Sequence, residues 1–581
     1  MVSAPAGALC PCTSCNRSMR GPTLLASLAW LCSLACVGGS PVDSRPVARV
    51  TVTPRTATVT APGATVQFAA VALDASGNPM EGTEFLWKSE DLSIATVDHS
   101  GLATAKAYGT TTITASARGA LGGAVLAVNQ HLQLTFLTQP GTAEGQVAFD
   151  PTIRVAIQDG FGNTVTDVLA DVTIDLYVDP IGAALSGATT VRAVGGIATF
   201  SDLSLALPGD GFVLEARSAG VPSAPSERFS VRLTFVQTSA AFFHTCAVTV
   251  ARFAYCWGWN DRGQLGDGSI ATRSTPTPVK GGLHFLQVSA AVYHTCGVTT
   301  ASDAYCWGTG DNGRLGDGTV NNRFIPTLVK GGLSFVQVST QNIHTCALTT
   351  DHAAYCWGLN DVGQLGDGTT DQRLEPTLVI GGLRLAQISA GGGHTCGVTM
   401  DRAARCWGGN SSGRLGDGTT VNRLIPTPVA GGLSFIQVSA GGGFTCGVTP
   451  DHAAYCWGFN EEGQLGDGTT TDRFTPTPVQ GGVSFVHVTA GGLHACGVTT
   501  GSAAYCWGWN VGGGLGDGTT TTRLIPTPVQ GTLAFADVSA AVHHTCGVTT
   551  DRVAYCWGSN ESGQLGDGST ESSLTPARVV H

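Results

Sequence analysis

The sequence predicts an all-β protein in which two β-sandwiches precede a sevenfold repeat array, and three observations carry that prediction. The first is a period. Cys246, Cys296, Cys346, Cys396, Cys446, Cys496 and Cys546 stand fifty residues apart without an insertion. Cys256, Cys306, Cys356, Cys406, Cys456, Cys506 and Cys556 keep the same interval, each one residue ahead of a Trp-Gly pair. A fixed period of this length marks a solenoid or a propeller, where each copy buries its apolar face on its neighbours. The second is composition: 80 glycines among 581 residues, with 12% charged, suit short strands and tight turns better than long surface helices. The third is the period-two alternation of apolar residues ahead of the repeats.

In chain order, residues 1–36 read as an export signal of lipoprotein type. Arg17 and Arg20 precede an apolar run from Leu24 to Cys36, too short to span a bilayer. Ser33-Leu34-Ala35-Cys36 resembles the cleavage box of bacterial lipoproteins, in which the cysteine takes the lipid; Ser33 departs from the usual aliphatic residue. Cysteine parity bears on the same point. Of 19 cysteines, four precede Cys36 and fourteen form the two ladders, which leaves Cys36 as the single spare. An oxidising compartment with a lipidated Cys36 explains that parity; ordinary secretion with Cys36 removed is the alternative. Localisation is expected at the cell envelope, on the outer membrane or cell surface, or else secreted.

Residues 37–46 form a spacer. Residues 47–128 then alternate through Val50, Val52, Val66, Phe68, Phe85, Trp87, Ile113 and Ala115, with breakers at Pro62-Gly63, Ser76-Gly77-Asn78-Pro79 and Ser100-Gly101. This is the pattern of a small β-sandwich with a tryptophan for its core. Trp87-Lys88-Ser89, Ile94-Ala95-Thr96-Val97-Asp98 and Gly109-Thr110 resemble the group-two bacterial immunoglobulin-like domain, modules that serve as spacers or stalks. Residues 131–232 repeat the style through Ile153, Val155, Ile157, Val172, Ile174, Leu176, Phe212 and Leu214. There Asp159-Gly160-Phe161-Gly162-Asn163 resembles invasin-type Ig-like modules, and Asp159 and Asn163 are read as capping their own turn. Strand residues run from Phe229 almost directly into Leu233, so this sandwich is expected to dock rigidly on the repeat domain.

Residues 233–581 hold the repeats. Each copy offers about four short strands. In the central hairpin, if Cys346 faces Cys356, Ala347 faces Tyr355; in five copies the equivalent of Ala347 is glycine, so a bulky side chain is set over bare backbone. Opposed cysteines on neighbouring strands meet the spacing a disulfide needs, which predicts seven bridges, Cys246–Cys256 through Cys546–Cys556. Each closes a short loop and contributes roughly 2–3 kcal/mol on the chain-entropy model. Zinc held by the thiols and His344 is the rival; a Cys-x9-Cys hairpin supplies two sulfurs, and copy five has Phe444 for the histidine.

His-Thr-Cys-Gly-Val-Thr, Tyr-Cys-Trp-Gly-x-Asn-x-x-Gly-Gln-Leu-Gly-Asp-Gly-Thr and Pro-x-x-Val resemble the repeat of the regulator of chromosome condensation family. The resemblance implies a seven-bladed β-propeller, preceded here by two Ig-like β-sandwiches. Ring closure is expected from Pro576–Val579 pairing with Thr234–Ser239. The family's founder is a nucleotide exchange factor that depends on a wedge inserted in one blade; the unbroken period speaks against that activity. Bacterial secreted members include a propeller that covers the active site of a β-lactamase, which makes protein binding the leading class and a glycan-binding adhesin the alternative.

With 41 acidic against 30 basic residues the net charge is −11, which opposes nucleic acid as a partner. The repeated His and the Asp of Leu-Gly-Asp-Gly form rings of near-identical residues rather than a unique catalytic constellation. The histidines are read as bonding backbone and Asp267 and its equivalents as fixing a turn with Arg273 and its equivalents. No enzyme activity, cofactor or metal is expected, a carbohydrate-active enzyme being the lesser alternative, and the chain is read as a monomer. Ligand recognition is placed where copies differ: the two residues before the His and the residue after Trp-Gly. Bulky residues at those places cluster in copies six, seven, one and two, which predicts an off-centre patch of Phe242, Phe243, Trp259, Tyr293, Trp509 and His543.

Overall fold

A computed structural model describes residues 45–580 except Phe161 and Ile181. The export signal, Cys36 and most of the spacer lie outside the described residues. The chain divides into two compact units at residues 130 and 131.

The first unit is a sandwich of short sheets. Thr56–Val59, Ala120–Val128, Gly109–Ala117 and Leu86–Ser89 form one sheet, and Thr65–Gln67, Leu102–Ala105 and Ala95–Val97 another. Phe68 is fully buried and lies between Thr65–Gln67 and Ala69–Leu73, which pair with different sheets. The chain thus changes sheets on a core phenylalanine. Gly101 has φ +85°, and a Cβ there would stand 2.4 Å from the Phe68 carbonyl oxygen and 2.8 Å from the Trp87 ring. The glycine of this turn is set by close approach as well as by φ.

The second unit begins with a second sandwich. Gln133–Thr138, Ile153–Gln158 and Ile197–Phe200 pack Val155 and Ile157 against Val172, Ile174, Phe212 and Leu214 of the facing sheet. The Asp159 carboxylate accepts the Asn163 backbone N–H at 3.0 Å, closing its turn. This sandwich is fixed to the repeats by specific bonds. Thr234 donates its N–H and hydroxyl to Glu144 at 2.9 and 3.0 Å, and the Tyr255 hydroxyl donates to the Ala206 carbonyl at 2.7 Å. Tyr255 is fully buried there, while Tyr305, Tyr355, Tyr455, Tyr505 and Tyr555 are only half-buried.

The repeats form seven four-stranded antiparallel sheets, each from one copy. Blade 1 is Phe235–Ala240, His244–Thr249, Ala254–Gly258 and Arg273–Pro278; blade 7 is Phe535–Ala540, His544–Thr549, Ala554–Gly558 and Ser573–Arg578. The hairpin register has Cys246 opposite Cys256 and its six equivalents, and all seven disulfides form at Cα–Cα 4.0–4.1 Å. Sulfurs joined to each other are not thiolates, so the zinc reading loses its ligands. The glycine opposite the tyrosine is there for a different neighbour than expected. A Cβ at Gly297 would stand 2.6 Å from Phe285 of its own blade's inner strand, and Gly447, Gly497 and Gly547 repeat this with Phe435, Phe485 and Phe535.

Ring closure also differs from expectation. Ser573–Arg578 pairs with Ala554–Gly558 of its own blade, not with the strand Phe235–Ala240. Repeat frame and blade frame coincide, so no strand is left over to exchange. The ring closes by lateral contacts of the kinds that join the other neighbouring blades. Phe235 N–H donates to the Arg552 carbonyl at 2.8 Å, Ala240 N–H to Ser539 Oγ at 3.0 Å, and Trp257 Nε1–H to the Gln564 carbonyl at 3.0 Å. Leu233, Phe235 and Trp257 share one apolar core with Val548, Leu565 and Val579. Six further cores of the same make-up fill the other junctions.

The Leu-Gly-Asp-Gly ladder belongs to those junctions. A Cβ at Gly566, at φ +71°, would lie 2.5 Å from the Trp257 indole, so the first glycine seats the next blade's tryptophan. The aspartate fixes the turn as expected. Asp317 Oδ1 accepts from Thr319 N–H and its hydroxyl at 2.9 and 2.8 Å, and Oδ2 accepts Arg323 Nε–H at 2.7 Å. Burial pushes this carboxyl up, but the hydrogen bonds outweigh it and hold it below the usual range. Asp567 has Ser573 where the other copies have arginine.

Candidate functional site

The two variable stretches of each copy meet at one end of the propeller. In blade 1 the Trp259 N–H donates to the Phe243 carbonyl at 2.9 Å, and Thr309 to Tyr293, Trp509 to Leu493 and Ser559 to His543 repeat the bond. The residue after Trp-Gly is thereby set beside the residues before the His, whatever their side chains. Sequence differences between copies are therefore displayed together.

The structure brings all six patch residues into one continuous chain of ring contacts. Trp509 meets His543 at a centroid distance of 5.2 Å, His543 meets Phe242 at 4.9 Å, and Phe242 meets Phe243 at 4.1 Å. Phe243 then meets Trp259 at 5.2 Å and Trp259 meets Tyr293 at 5.8 Å. The His543–Phe242, Phe243–Trp259 and Trp259–Tyr293 contacts are edge-on, a packing that stabilises aromatic pairs beyond their buried area. Each of the six is half-buried, so the arc keeps part of its surface in water. Burial holds the His543 imidazole below its ordinary pKa, with Glu561 acting in the opposite sense.

A cavity of about 330 Å³ opens beside the arc, with walls from all seven blades. Phe242, Val292, Tyr293 and Val542 line one side, Gln341 and Asn342 another. Gly392, Gly442 and Gly492 complete it. Phe243, Trp259, Trp509 and His543 stand outside this wall. Asn342 and the glycines belong to the variable loop positions and Gln341 stands one residue before them, but an aromatic criterion passes over all of them. The glycines have a structural cause. Gly392, Gly442 and Gly492 each donate N–H at 2.9 Å to a carbonyl of the next blade, from Gly441, Gly491 and Ala541. A Cβ at Gly392 would stand 2.5 Å from the Gly442 carbonyl oxygen. Three of the seven junctions, between blades 4 and 7, are thus zipped backbone to backbone at this level.

The repeated histidines are fully buried between blades. Against the expected backbone bonding, each pairs with a threonine side chain, and His494 also bonds the Val542 backbone. His244 Nε2 lies 2.9 Å from Thr295 Oγ1 of the next blade, and the Thr295 hydroxyl donates to the Gln264 carbonyl at 2.9 Å. The threonine proton is committed to that carbonyl, so Nε2 carries the hydrogen and donates. The pattern runs from His294 to Thr345, His344 to Thr395, His394 to Thr445, His494 to Thr545 and His544 to Thr245. Burial lowers the imidazole pKa to about 3 for His244 and His544 and to about 4 for His344 and His494. Neutral, enclosed imidazoles hold blades together and reach no substrate. Among the described residues no group of three or more His, Cys, Asp or Glu stands together to hold a metal ion.

Comparisons with known proteins agree with this architecture. The model described as RCC1-like domain matches residues 205–496, and the regulator of chromosome condensation (RCC1) repeat matches 503–548 and 553–581. Bacterial Ig-like domain (group 2) matches 46–128. A comparison with curated proteins gives no match. Among solved structures, human WBSCR16 is 20% identical over 57% of this chain and 94% of that chain, with a TM-score of 0.52. Prp20p from Saccharomyces cerevisiae, described with its binding properties to Gsp1p and histones, is 20% identical over 60% and 88%, with a TM-score of 0.51. A second structure of the same yeast protein, bound to Kap60, is 19% identical over 60% and 86%, with a TM-score of 0.51. At such identities the likeness speaks for the fold alone. Seven four-stranded blades, the hairpin motifs and the matched models together place the chain in the RCC1 repeat family, with a group 2 bacterial Ig-like domain ahead of its propeller.

Proposed function

We propose that the chain is a non-catalytic binding protein whose propeller takes a protein ligand on the end that carries the aromatic arc. The continuous arc from Trp509 to Tyr293 beside an open cavity carries this reading. Rigid, half-buried aromatic rings lose little conformational freedom on binding and are the residues that dominate interface energetics. The yeast protein Prp20 is described with protein partners, Kap60 in one structure and Gsp1p and histones with the other. Seven disulfides favour an oxidising compartment. In this proposal Cys36 carries a lipid at the cell envelope and the Ig-like modules serve as the spacer.

The test uses the full chain and its Phe243→Ala/Trp259→Ala variant in parallel pulldowns from the native envelope, with a glycan array beside them. The expected result is a protein partner retained by the parent and lost from a variant that melts at the parent's temperature. Full capture by the folded variant overturns the arc as the site. Binding to the array with no protein captured makes the chain a glycan-binding adhesin instead.

A further inference from the structure

We infer that the partner of the arc is basic: a protein segment that sets an aromatic or aliphatic side chain into the cavity and arginine or lysine side chains onto the surrounding rim. The inference rests on the reading of the arc as a protein-binding site. It follows from charge on the same loops that build the arc. Two residues beyond Trp259 comes Asp261, and the equivalent position is Asp311, Asp361, Glu461 and Glu561 in blades 2, 3, 5 and 7. All five are exposed, and Glu462 adds a sixth, half-buried carboxylate. Blades 4 and 6 carry Ser411 and Val511 there.

Cationic side chains do not balance them. Arg262 is the exposed cation of these loops, and its Nε stands 3.6 Å from the Asp261 carboxylate. Arg314 is buried and Arg414 half-buried, with Nη1 donating to the carbonyls of Asn342 and Gly442 at 3.0 and 3.2 Å and Arg414 Nη2 donating to Ser411 Oγ at 2.7 Å. They hold loops and offer little charge to a ligand. The acidic side chains that flank the arc are Glu561, Asp261 and Asp311, on blades 7, 1 and 2, the blades of His543, Phe242 and Tyr293. A carboxylate beside an aromatic face is the setting an arginine satisfies twice over, by charge and by stacking on the ring. The arc runs through five ring-to-ring steps on four blades, longer than one small cation needs, which fits an extended segment. The net charge of −11 steers such a partner toward the whole chain, and the rim sets where it lands.

The probe is a library of random linear peptides selected on the full chain, with the recovered peptides made synthetically. Recovered sequences are expected to combine arginine or lysine with an aromatic or aliphatic residue. Their affinity is expected to fall about tenfold or more between about 0.1 M and about 1 M salt, where the Debye length drops from about 10 to about 3 Å. It is expected to fall comparably in Asp261→Asn/Asp311→Asn/Glu561→Gln. An equal charge change at the far end, Asp401→Asn/Asp451→Asn/Asp551→Asn, is expected to leave it unchanged. Peptides that require Phe243 and Trp259 but are neutral or acidic, or that ignore salt and the rim variant, overturn the basic partner and leave the binding site standing. Peptides that bind the folded Phe243→Ala/Trp259→Ala variant as well as the parent overturn both. A selection that enriches nothing also counts against the basic partner.

Discussion

Six of the seven junctions between blades carry a buried histidine bonded to a threonine of the next blade, and the junction between blades 5 and 6 carries Phe444 and Ala495 in their places. Both are fully buried in the same core, with Cys446, Val488 and Trp507. Neither polar partner survives alone. An imidazole N–H left without its hydroxyl is a buried unsatisfied donor, costing about 1–3 kcal/mol, whereas replacing both partners by apolar groups is close to neutral. The comparison shows that the ring needs a filled, satisfied junction, not a histidine as such. It also separates what the polar pair adds, which is sensitivity to acid, from what it merely maintains.

Acid has the largest expected effect. The six histidines are buried and neutral, and their pKa values lie at about 3 to 4 or well below the ordinary 6.5. The Nδ1 atoms of His244, His294, His344, His394 and His544 have no hydrogen-bond partner among the described residues. Below pH 6.5 the unfolded chain takes up protons that the folded chain refuses. Stability is therefore full above that pH and falls as pH drops toward 4, by up to about 1.4 kcal/mol per pH unit for each histidine. Denaturant titrations between pH 7 and 4 are expected to show a steep loss. The turn carboxylates such as Asp317 and Asp367 are held below the usual range, so their loss belongs to lower pH and does not blur the window. A flat profile from pH 7 to 4 would contradict the buried neutral ring.

Removing one partner comes next in size. Thr245→Ala leaves the His544 N–H unsatisfied at the junction that closes the ring, and a loss of about 1–3 kcal/mol is expected in equilibrium unfolding. Thr345→Ala, at an ordinary junction beside His294, is expected to cost a similar amount. Blade 7 meets blade 1 through the same His–Thr pair, serine bond and indole bond as blade 2 meets blade 3, with no exchanged strand to make it special. A much larger loss at Thr245 than at Thr345 would show that closure is the weak point.

These contacts mark the limit of what the sequence discloses. The disulfide hairpins are legible because both cysteines, and the residues that confirm their register, lie within one copy. The patch of Phe242, Phe243, Trp259, Tyr293, Trp509 and His543 is legible because a repeat provides its own baseline, against which variable loop residues stand out. The expected strand exchange fails because a period fixes the repeat length but not where a blade begins. The histidine's partner escapes a reading of single copies because it lies 51 residues away in the next one. Two departures that far apart, Phe444 and Ala495, are the signal for it in the chain itself. The glycine half of the cavity gives no such signal, since a glycine pair reads alike in a free turn and in a backbone zipper.

Rebuilding the exceptional junction gives the smallest net effect and the sharpest comparison. Phe444→His alone places an imidazole N–H opposite the Ala495 methyl, and is expected to destabilise by about 1–3 kcal/mol. Adding Ala495→Thr supplies the hydroxyl. Its acceptor is in place: the Gln264 carbonyl takes both the Thr295 hydroxyl and Trp307 Nε1–H at 2.9 Å, and the equivalent Gln464 carbonyl already takes Trp507 Nε1–H at 3.0 Å. The double variant is expected to return most of the loss, with a coupling energy that a double-mutant cycle reads directly. Near neutral pH its stability should approach the parent's. Below pH 6.5 its profile should be steeper by one histidine, because the rebuilt pair adds a seventh group that refuses a proton. Full additivity of the two substitutions would mean that the shape of Phe444, rather than the paired absence of donor and acceptor, is what this junction requires.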